Sequence, residues 1–432
     1  MSVRLSKSAK KGTDKADLRV LMASHAHPRL SRGGSEIAAF HLYEALSNNL
    51  ASECWFLGCS QDDSAARAGV PITQPFQERE FVYSIGEFDW FKFANRDSRF
   101  PKAFTELLKE LQPNVVHFHH FLNFGVEAFQ LCREALPQAR IVLTVHEYLL
   151  LCHHYGQMVT KGLQLLCNES APRSCHSCFP EIAASDFFLR ELYCQRFLSY
   201  VDHFVAPSQF LADRLVKWGL PAKKISVIEN LLPDAAISDI STTLPRTNLR
   251  AGFFGQISRL KGINVLLDAA RLLERDGDSA ISIDIYGEYR GQPPEFQAEF
   301  LERLAGAGLN VTYHGPYQST DVTQLMRQVD AIIVPSIWWE NSPLVIQEAL
   351  RARRPIICSN IGGMAEKVRQ GIDGWHFPVG NAVSLASLLR QVAADRSHLE
   401  GIQRTMGRTS LAESVAHAHE RIYRGLGGQA EA

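Results

Sequence analysis

Two carboxylates eight positions apart, Glu340 and Glu348, frame the most informative segment of this 432-residue chain, residues 332–363 (IIVPSIWWENSPLVIQEALRARRPIICSNIGG). An apolar strand is expected to end at Pro335 and Ser336, and a loop to carry Trp338, Trp339 and Glu340. Pro343 is expected at the first helical position, where its missing N–H costs nothing. The amides left free at that helix start, with the positive end of the helix dipole, form a site for a phosphate. Glu340 in the loop and Glu348 about a turn and a half into the helix then face one cleft from different heights. Carboxylates beside a phosphate make chemical sense when they bind hydroxyls, and sugar hydroxyls fit that role.

A second cationic element, Gly255-Gln256-Ile257-Ser258-Arg259-Leu260-Lys261-Gly262, follows another apolar strand. Its glycines allow close backbone approach, and Arg259 and Lys261 bring two positive charges into a strand-to-helix loop. An Arg and a Lys two apart are more often solvated surface; a second phosphate-suited loop in the same half strengthens the anion reading. His146 ends an apolar strand beside Glu147. His117 and His119 share one face of VVHFHHF by alternation and are expected to line a cleft floor or pack internally rather than bind metal, since no partner ligand lies at motif spacing. Cys152, Cys167, Cys175 and Cys178 fall in an aperiodic stretch, which suggests a structural zinc with His153, His154 and His176 in reserve, against free thiols as the alternative. Residues 88–104 interleave aromatics with Lys92, Arg96, Arg99 and Lys102, a pattern suited either to a peripheral membrane contact or to core aromatics beneath a solvated face.

The elements holding these groups can be read from composition and pattern. With 46% apolar residues and 45 Lys+Arg against 46 Asp+Glu, the chain is neither mostly disordered nor a bulk nucleic-acid binder. No apolar run reaches the roughly 18–20 residues needed to span a bilayer. Residues 1–17 carry Arg4, Lys7, Lys10, Lys11 and Lys15 without an apolar stretch, and are expected to be a disordered basic tail rather than an export signal. Nine cysteines in that setting point to a cytoplasmic protein, with the inner face of the cytoplasmic membrane as the second location. Short β-branched runs alternate with helical patterns throughout, which predicts an α/β fold with parallel sheets. The expected division is an N-terminal domain over 18–235 with a Cys-rich insertion at 150–180, a linker over 236–250 inside a polar, proline-bearing stretch, a second domain over 251–410, and a last helix over 411–426. A ligand is expected in the cleft where the carboxyl ends of the two sets of strands meet.

Taken together, G-x3-R-x-K-G, the Glu340-x7-Glu348 pair after PSIWWE, Gly362-Gly363-x2-Glu366 and Gly371-x2-Gly374 resemble the family 4 retaining glycosyltransferases of GT-B fold. Gly33-Gly34-Ser35-Glu36 after the first strand and the strand ending at His146 match as well, so the likeness runs from Leu18 to about Arg424. The cysteine-bearing segment is similar to an insertion found in some members. The resemblance implies two Rossmann-like domains facing across a cleft, the first on the acceptor side and the second binding a nucleotide-diphosphate sugar. It implies that Arg259 and Lys261 grip the diphosphate, with Gly255 in that loop, while the amides of Leu344 and Val345 support it and Gly34 approaches from the other domain. Glu348 would bind the ribose, Glu340 the donor sugar, and His146 would reach that sugar across the cleft. No catalytic metal is expected, since fixed cations neutralise the leaving group. Glu147 stands where the family often has Asp. The acceptor would be a glycan or glycolipid. A sugar-nucleotide epimerase or hydrolase of similar fold, or a catalytically silent nucleotide-sugar-binding partner, are the alternatives.

Overall fold

The computed structural model describes residues 18–31, 33–49, 52–61, 67, 69–162, 164–232, 248–406 and 412–426. The expected tail and most of the expected linker lie outside the described residues. Two sheets organise the chain. In the first, β1 (Arg19–Ala23), β2 (Glu53–Ser60), β3 (Ile72–Thr73), β4 (Glu80–Ser84), β7 (Val115–Phe118), β8 (Arg140–Thr144), β9 (His203–Ala206) and β10 (Ile225–Val227) run in the order β3-β4-β2-β1-β7-β8-β9-β10. Only β3 is antiparallel to its neighbour. A small hairpin, β5 (Phe88–Asp89) and β6 (Ala94–Asn95), stands apart. The second sheet is wholly parallel: β11 (Leu249–Phe254), β12 (Ile281–Tyr286), β13 (Val311–Gly315), β14 (Ala331–Val334), β15 (Ile356–Ser359) and β16 (Gly374–Phe377), in the order β13-β12-β11-β14-β15-β16.

Continuous apolar strands such as AIIV (β14) and IICS (β15) are buried along their whole length, as helices on both faces of a parallel sheet require. The order reverses at β1 in the first sheet and at β11 in the second, because the chain departs on opposite sides from each. Loops leaving the carboxyl ends at such switch points diverge and open a crevice. The predicted α/β architecture of two parallel-sheet domains facing across a cleft is what the chain adopts.

Contacts across the cleft are specific. The Glu366 carboxylate accepts the amides of Gln209 (2.9 Å) and Phe210 (2.8 Å) at the start of the helix Gln209–Trp218, and Lys367 pairs with Glu229 at 2.8 Å. Asn341 Nδ2 donates to the His146 carbonyl at 2.9 Å, and its Oδ1 accepts from Ser208 Oγ. The last helix, Ala412–Tyr423, returns to the first sheet, where Val415, Ala416 and Ile422 share a buried cluster with Val20, Met22 and Leu42.

The aromatic-basic stretch 88–104 contributes several of its rings to the core. Phe93, Phe100 and Phe104 are buried, while Arg96 and Arg99 pair with Asp89 and Asp97 at 2.8 Å. Trp90 is the aromatic of this stretch that stands exposed. The alternation of ring and charge records a short hairpin leading into the helix Phe100–Leu111, with Phe93, Phe100 and Phe104 facing inward and the guanidinium groups of Arg96 and Arg99 outward. Among the described residues no helix is long and apolar enough to cross a membrane.

Candidate active site

A cavity of about 780 Å³ occupies the crevice, lined by the loops after β1, β8, β11, β12 and β14. Glycine shapes the second-domain side. Gly262 holds φ +74°, and a Cβ there would overlap the carbonyl oxygen of Pro335, so the loop after β11 lies directly on the loop after β14. That contact brings Lys261 to Glu340: Nζ meets Oε1 at 2.6 Å. The same oxygen accepts from Ser336 Oγ (2.8 Å) and Trp338 Nε1 (2.9 Å), which fixes a buried carboxylate at the centre of the loop.

Pro343 is the N-cap of the helix Leu344–Arg351, with extended ψ of 121°, one position earlier than the sequence pattern suggests. The amides of Leu344 and Val345 therefore precede the first intrahelical bond, from Ile346 N to the Pro343 carbonyl at 3.0 Å. Both residues line the cavity, as do Gly255, Lys261, Glu340 and Glu348. From the other domain come Gly34 and His146. A Cβ at Gly34 would stand 3.8 Å from Leu344 Cδ1, so the two domains approach each other here within a side chain's width. Glu36, two positions on, turns away from the cavity to His25 at 3.5 Å.

Charge in the cavity is set by burial. Desolvation pushes the Glu348 carboxyl up to about 7, partly opposed by Arg351. Burial likewise holds His146 down at about 3, so its imidazole is neutral near neutral pH and can orient or accept but not carry charge. His146 Nε2 shares a hydrogen bond with His119 Nδ1 at 3.1 Å, which ties the ring to the first sheet.

Arg259 is not brought to this cavity. Its guanidinium pairs with Glu299 on the helix Pro294–Ala305, beside the Phe296 ring, and the side chain lines a separate chamber. Lys261 points into the cavity and to Glu340, whereas Arg259 points to Glu299. Gln256 is the side chain of this loop that joins Lys261 in the cavity; sequence reasoning passed over it because it is uncharged. Tyr317, packed against Phe254 and Tyr286, and Asn341, which spans the domains, were also missed. The Gly-Gly pair hinted at Asn341, because Gly363 exists to let a helix pack on its backbone.

The histidines of VVHFHHF pack internally. His117 bonds Tyr423 Oη (2.7 Å) and Thr144 Oγ1 (2.8 Å), and His120 pairs with Glu147 at the cavity edge. Desolvation holds His117 and His119 well below the usual imidazole range. The expected zinc site is not assembled. Among the described residues no three His, Cys, Asp or Glu side chains are placed to hold a metal ion, and Cys152, Cys167, Cys175 and Cys178 are free thiols. Their sulfurs have local partners instead: Cys167 donates to the Glu169 carbonyl at 3.3 Å, and Cys178 accepts the Lys161 amide at 3.4 Å. Burial pushes the Cys152 thiol up to about 11.

Comparison with known proteins places these features. Residues 32–234 match the family described as Glycosyltransferase Family 4, and residues 238–406 match Glycosyl transferases group 1. The chain is 27% identical over 210 residues to the lipopolysaccharide 1,2-N-acetylglucosaminetransferase of Salmonella typhimurium, covering 45% of this chain and 54% of the relative. It is also 27% identical over 304 residues to the D-inositol 3-phosphate glycosyltransferase of Rhodococcus jostii, covering 65% and 61%. The matched stretches thus span about half to three-fifths of the length of these two relatives. Among solved structures, Anabaena Alr3699/HepE in complex with UDP superimposes with a TM-score of 0.66 at 15% identity, over 95% of this chain and 100% of that one. Sucrose-phosphate synthase from Thermosynechococcus elongatus gives 0.67 at 17%, over 94% and 99%. At such identities the structural likeness establishes the fold.

Proposed function

Because the chain belongs to the family 4, group 1 glycosyltransferases, we propose that it moves a sugar from a nucleotide-diphosphate sugar to a hydroxyl of a glycan or lipid-linked acceptor, with retention at the anomeric carbon. The observation that carries this reading is the convergence of Lys261, the free amides of Leu344 and Val345, Glu340 and Glu348 on one interdomain cavity. The domain spanning 251–410 would hold the donor, and the domain spanning 18–235 would present the acceptor.

In this reading the diphosphate lies between Lys261 and the helix start, where a preorganised cation and backbone donors stabilise the charge that grows on the leaving oxygen. Gln256 adds a neutral donor. Glu348 accepts the ribose hydroxyls, while Glu340 orients Lys261 and takes a donor-sugar hydroxyl on its remaining oxygen. His146, neutral and anchored by His119, hydrogen-bonds the sugar. The departing phosphate oxygen takes the acceptor proton, so no dedicated base is required. UDP is held by Alr3699/HepE, which makes a uridine nucleotide the first candidate.

A thermal-shift screen against UDP-, GDP-, ADP- and dTDP-sugars tests the reading. A donor at about a hundredfold its dissociation constant stabilises by about 2.7 kcal/mol and raises the melting temperature by several degrees. If none of the four moves it, the assignment fails. Donor consumption without any acceptor would favour a hydrolase or epimerase, and binding without turnover on any glycan would favour a silent partner.

Glu348 gives this reading a pH signature. Its carboxyl sits at about 7, and the ionised form is the stronger acceptor for ribose hydroxyls. Raising the pH from about 6 to about 8 converts most of it to carboxylate, so affinity for a nucleotide-diphosphate sugar is expected to rise by up to about tenfold. Calorimetric titration of the donor across that range checks this, and Glu348→Gln is expected to bind weakly and without the slope.

A further inference from the structure

A second chamber of about 700 Å³ adjoins the cavity, and the two share Gln256, Lys261 and Trp338 as a common wall. One side is built by the cysteine-bearing segment through Tyr155, Gln157 and Gln164; the other by Arg259, Gln292 and Phe296 of the second domain. Tyr155 is 70% exposed, and both Tyr155 (φ 50°) and Gln164 (φ 52°) hold the left-handed backbone region that residues with a Cβ avoid. Each such residue costs about 1–3 kcal/mol, and strain of this kind concentrates where side chains must be aimed at a ligand. The lining combines four amide side chains, Gln157, Gln164, Gln256 and Gln292, with the rings of Tyr155, Phe296 and Trp338. Amides donate and accept at once, as paired hydroxyls require, and aromatic faces suit the C–H faces of a pyranose.

We propose that this chamber binds an oligosaccharide acceptor, and that the cysteine-bearing segment is there to form its wall. The proposal rests on the glycosyltransferase reading and extends it. In retaining transfer on one face, the acceptor oxygen bonds to the anomeric carbon from the side on which the phosphate oxygen leaves. The bond from that carbon to the phosphate oxygen breaks, and the hydroxyl proton passes to the departing phosphate. Lys261 is the cation that would hold the leaving oxygen, and it stands in the wall between the two spaces. A glycan in the chamber would lie beside that wall, next to the cation that would hold the leaving oxygen. Trp339 fixes the wall by donating from Nε1 to the Cys167 carbonyl at 2.9 Å, which ties the segment to the second domain.

The test uses Tyr155→Gly and Gln164→Gly in the full chain. Glycine removes each side chain and accepts the positive φ, and neither residue lines the donor cavity. Melting temperatures no lower than that of the wild type establish that both variants fold. With UDP, or whichever nucleoside diphosphate the donor screen identifies, bound at saturation, the wild type is expected to retain oligosaccharides on a printed glycan array. Each variant should lose that retention by about tenfold or more, with affinity for the nucleoside diphosphate within about twofold of wild type. Full retention by both variants overturns the proposal, as does a wild type that binds the nucleotide but no oligosaccharide. A wild type that binds no nucleoside diphosphate removes the glycosyltransferase reading itself, and this proposal with it.

Discussion

Lys261→Ala is expected to lower kcat/KM for the donor by about 10²–10³-fold, whereas Arg259→Ala changes it by less than about threefold. The contrast follows from geometry. Lys261 Nζ sits inside the cavity at 2.6 Å from Glu340, and removing it leaves that buried carboxylate with Ser336 and Trp338 as its donors among the described residues. The variant would lose the cation facing the leaving group and leave a negative charge beside a diphosphate. Arg259 has a 48% exposed side chain paired with Glu299, so its loss removes a solvated ion pair of small worth. Any effect of Arg259→Ala should appear in the acceptor KM, through the second chamber. Steady-state kinetics with donor and acceptor varied in turn separates the two. Equal damage from both substitutions would mean that the loop rearranges to bring Arg259 into the cavity.

Gly363→Ala is expected to lower the melting temperature by about 6 °C or more, corresponding to about 3 kcal/mol, and to abolish most turnover. A Cβ at Gly363 would overlap the carbonyl oxygen of Asn341, and the Glu340 carbonyl stands 3.0 Å away. The helix Gly362–Lys367 would have to lift, which breaks the Gly363 amide bond to the Glu340 carbonyl (2.8 Å) and withdraws Glu366 from Gln209 and Phe210. The same shift moves Glu340, which orients Lys261. Gly371→Ala is the control: Gly371 holds φ +74° with nothing within 4 Å of its Cβ, so only backbone strain of about 1 kcal/mol is added. A melting temperature for Gly363→Ala no lower than that of Gly371→Ala would refute the close-packing argument.

These two cases mark what the amino-acid pattern could and could not convey. The alternation of β-branched runs with helical stretches is a local signal, so the parallel sheets were legible, and so was the convergence of Glu340, Glu348, Lys261, Leu344 and Val345. Side-chain direction within the turn after β11 depends on Gly262 packing against Pro335, a contact between residues 73 positions apart in sequence; nothing local distinguishes Arg259 from Lys261. Trp338 and Trp339 look equivalent in sequence, yet one donates to Glu340 and the other to Cys167 of the opposite domain. His117 is bonded to Tyr423, 306 positions away, a partner that only the return of the last helix supplies. The cysteine spacing suggested a metal because spacing does not fix where the sulfurs point, and among the described residues the four thiols are not gathered into a ligand set.

The most direct test of the central claim is a crystal structure of the protein with the nucleoside diphosphate that the donor screen identifies. The account predicts the distal phosphate within hydrogen-bonding distance of Lys261 Nζ and of the Leu344 and Val345 amides, with the ribose hydroxyls on Glu348. A diphosphate bound against Arg259 in the second chamber, or lying in the cavity without contact to Lys261, would contradict it.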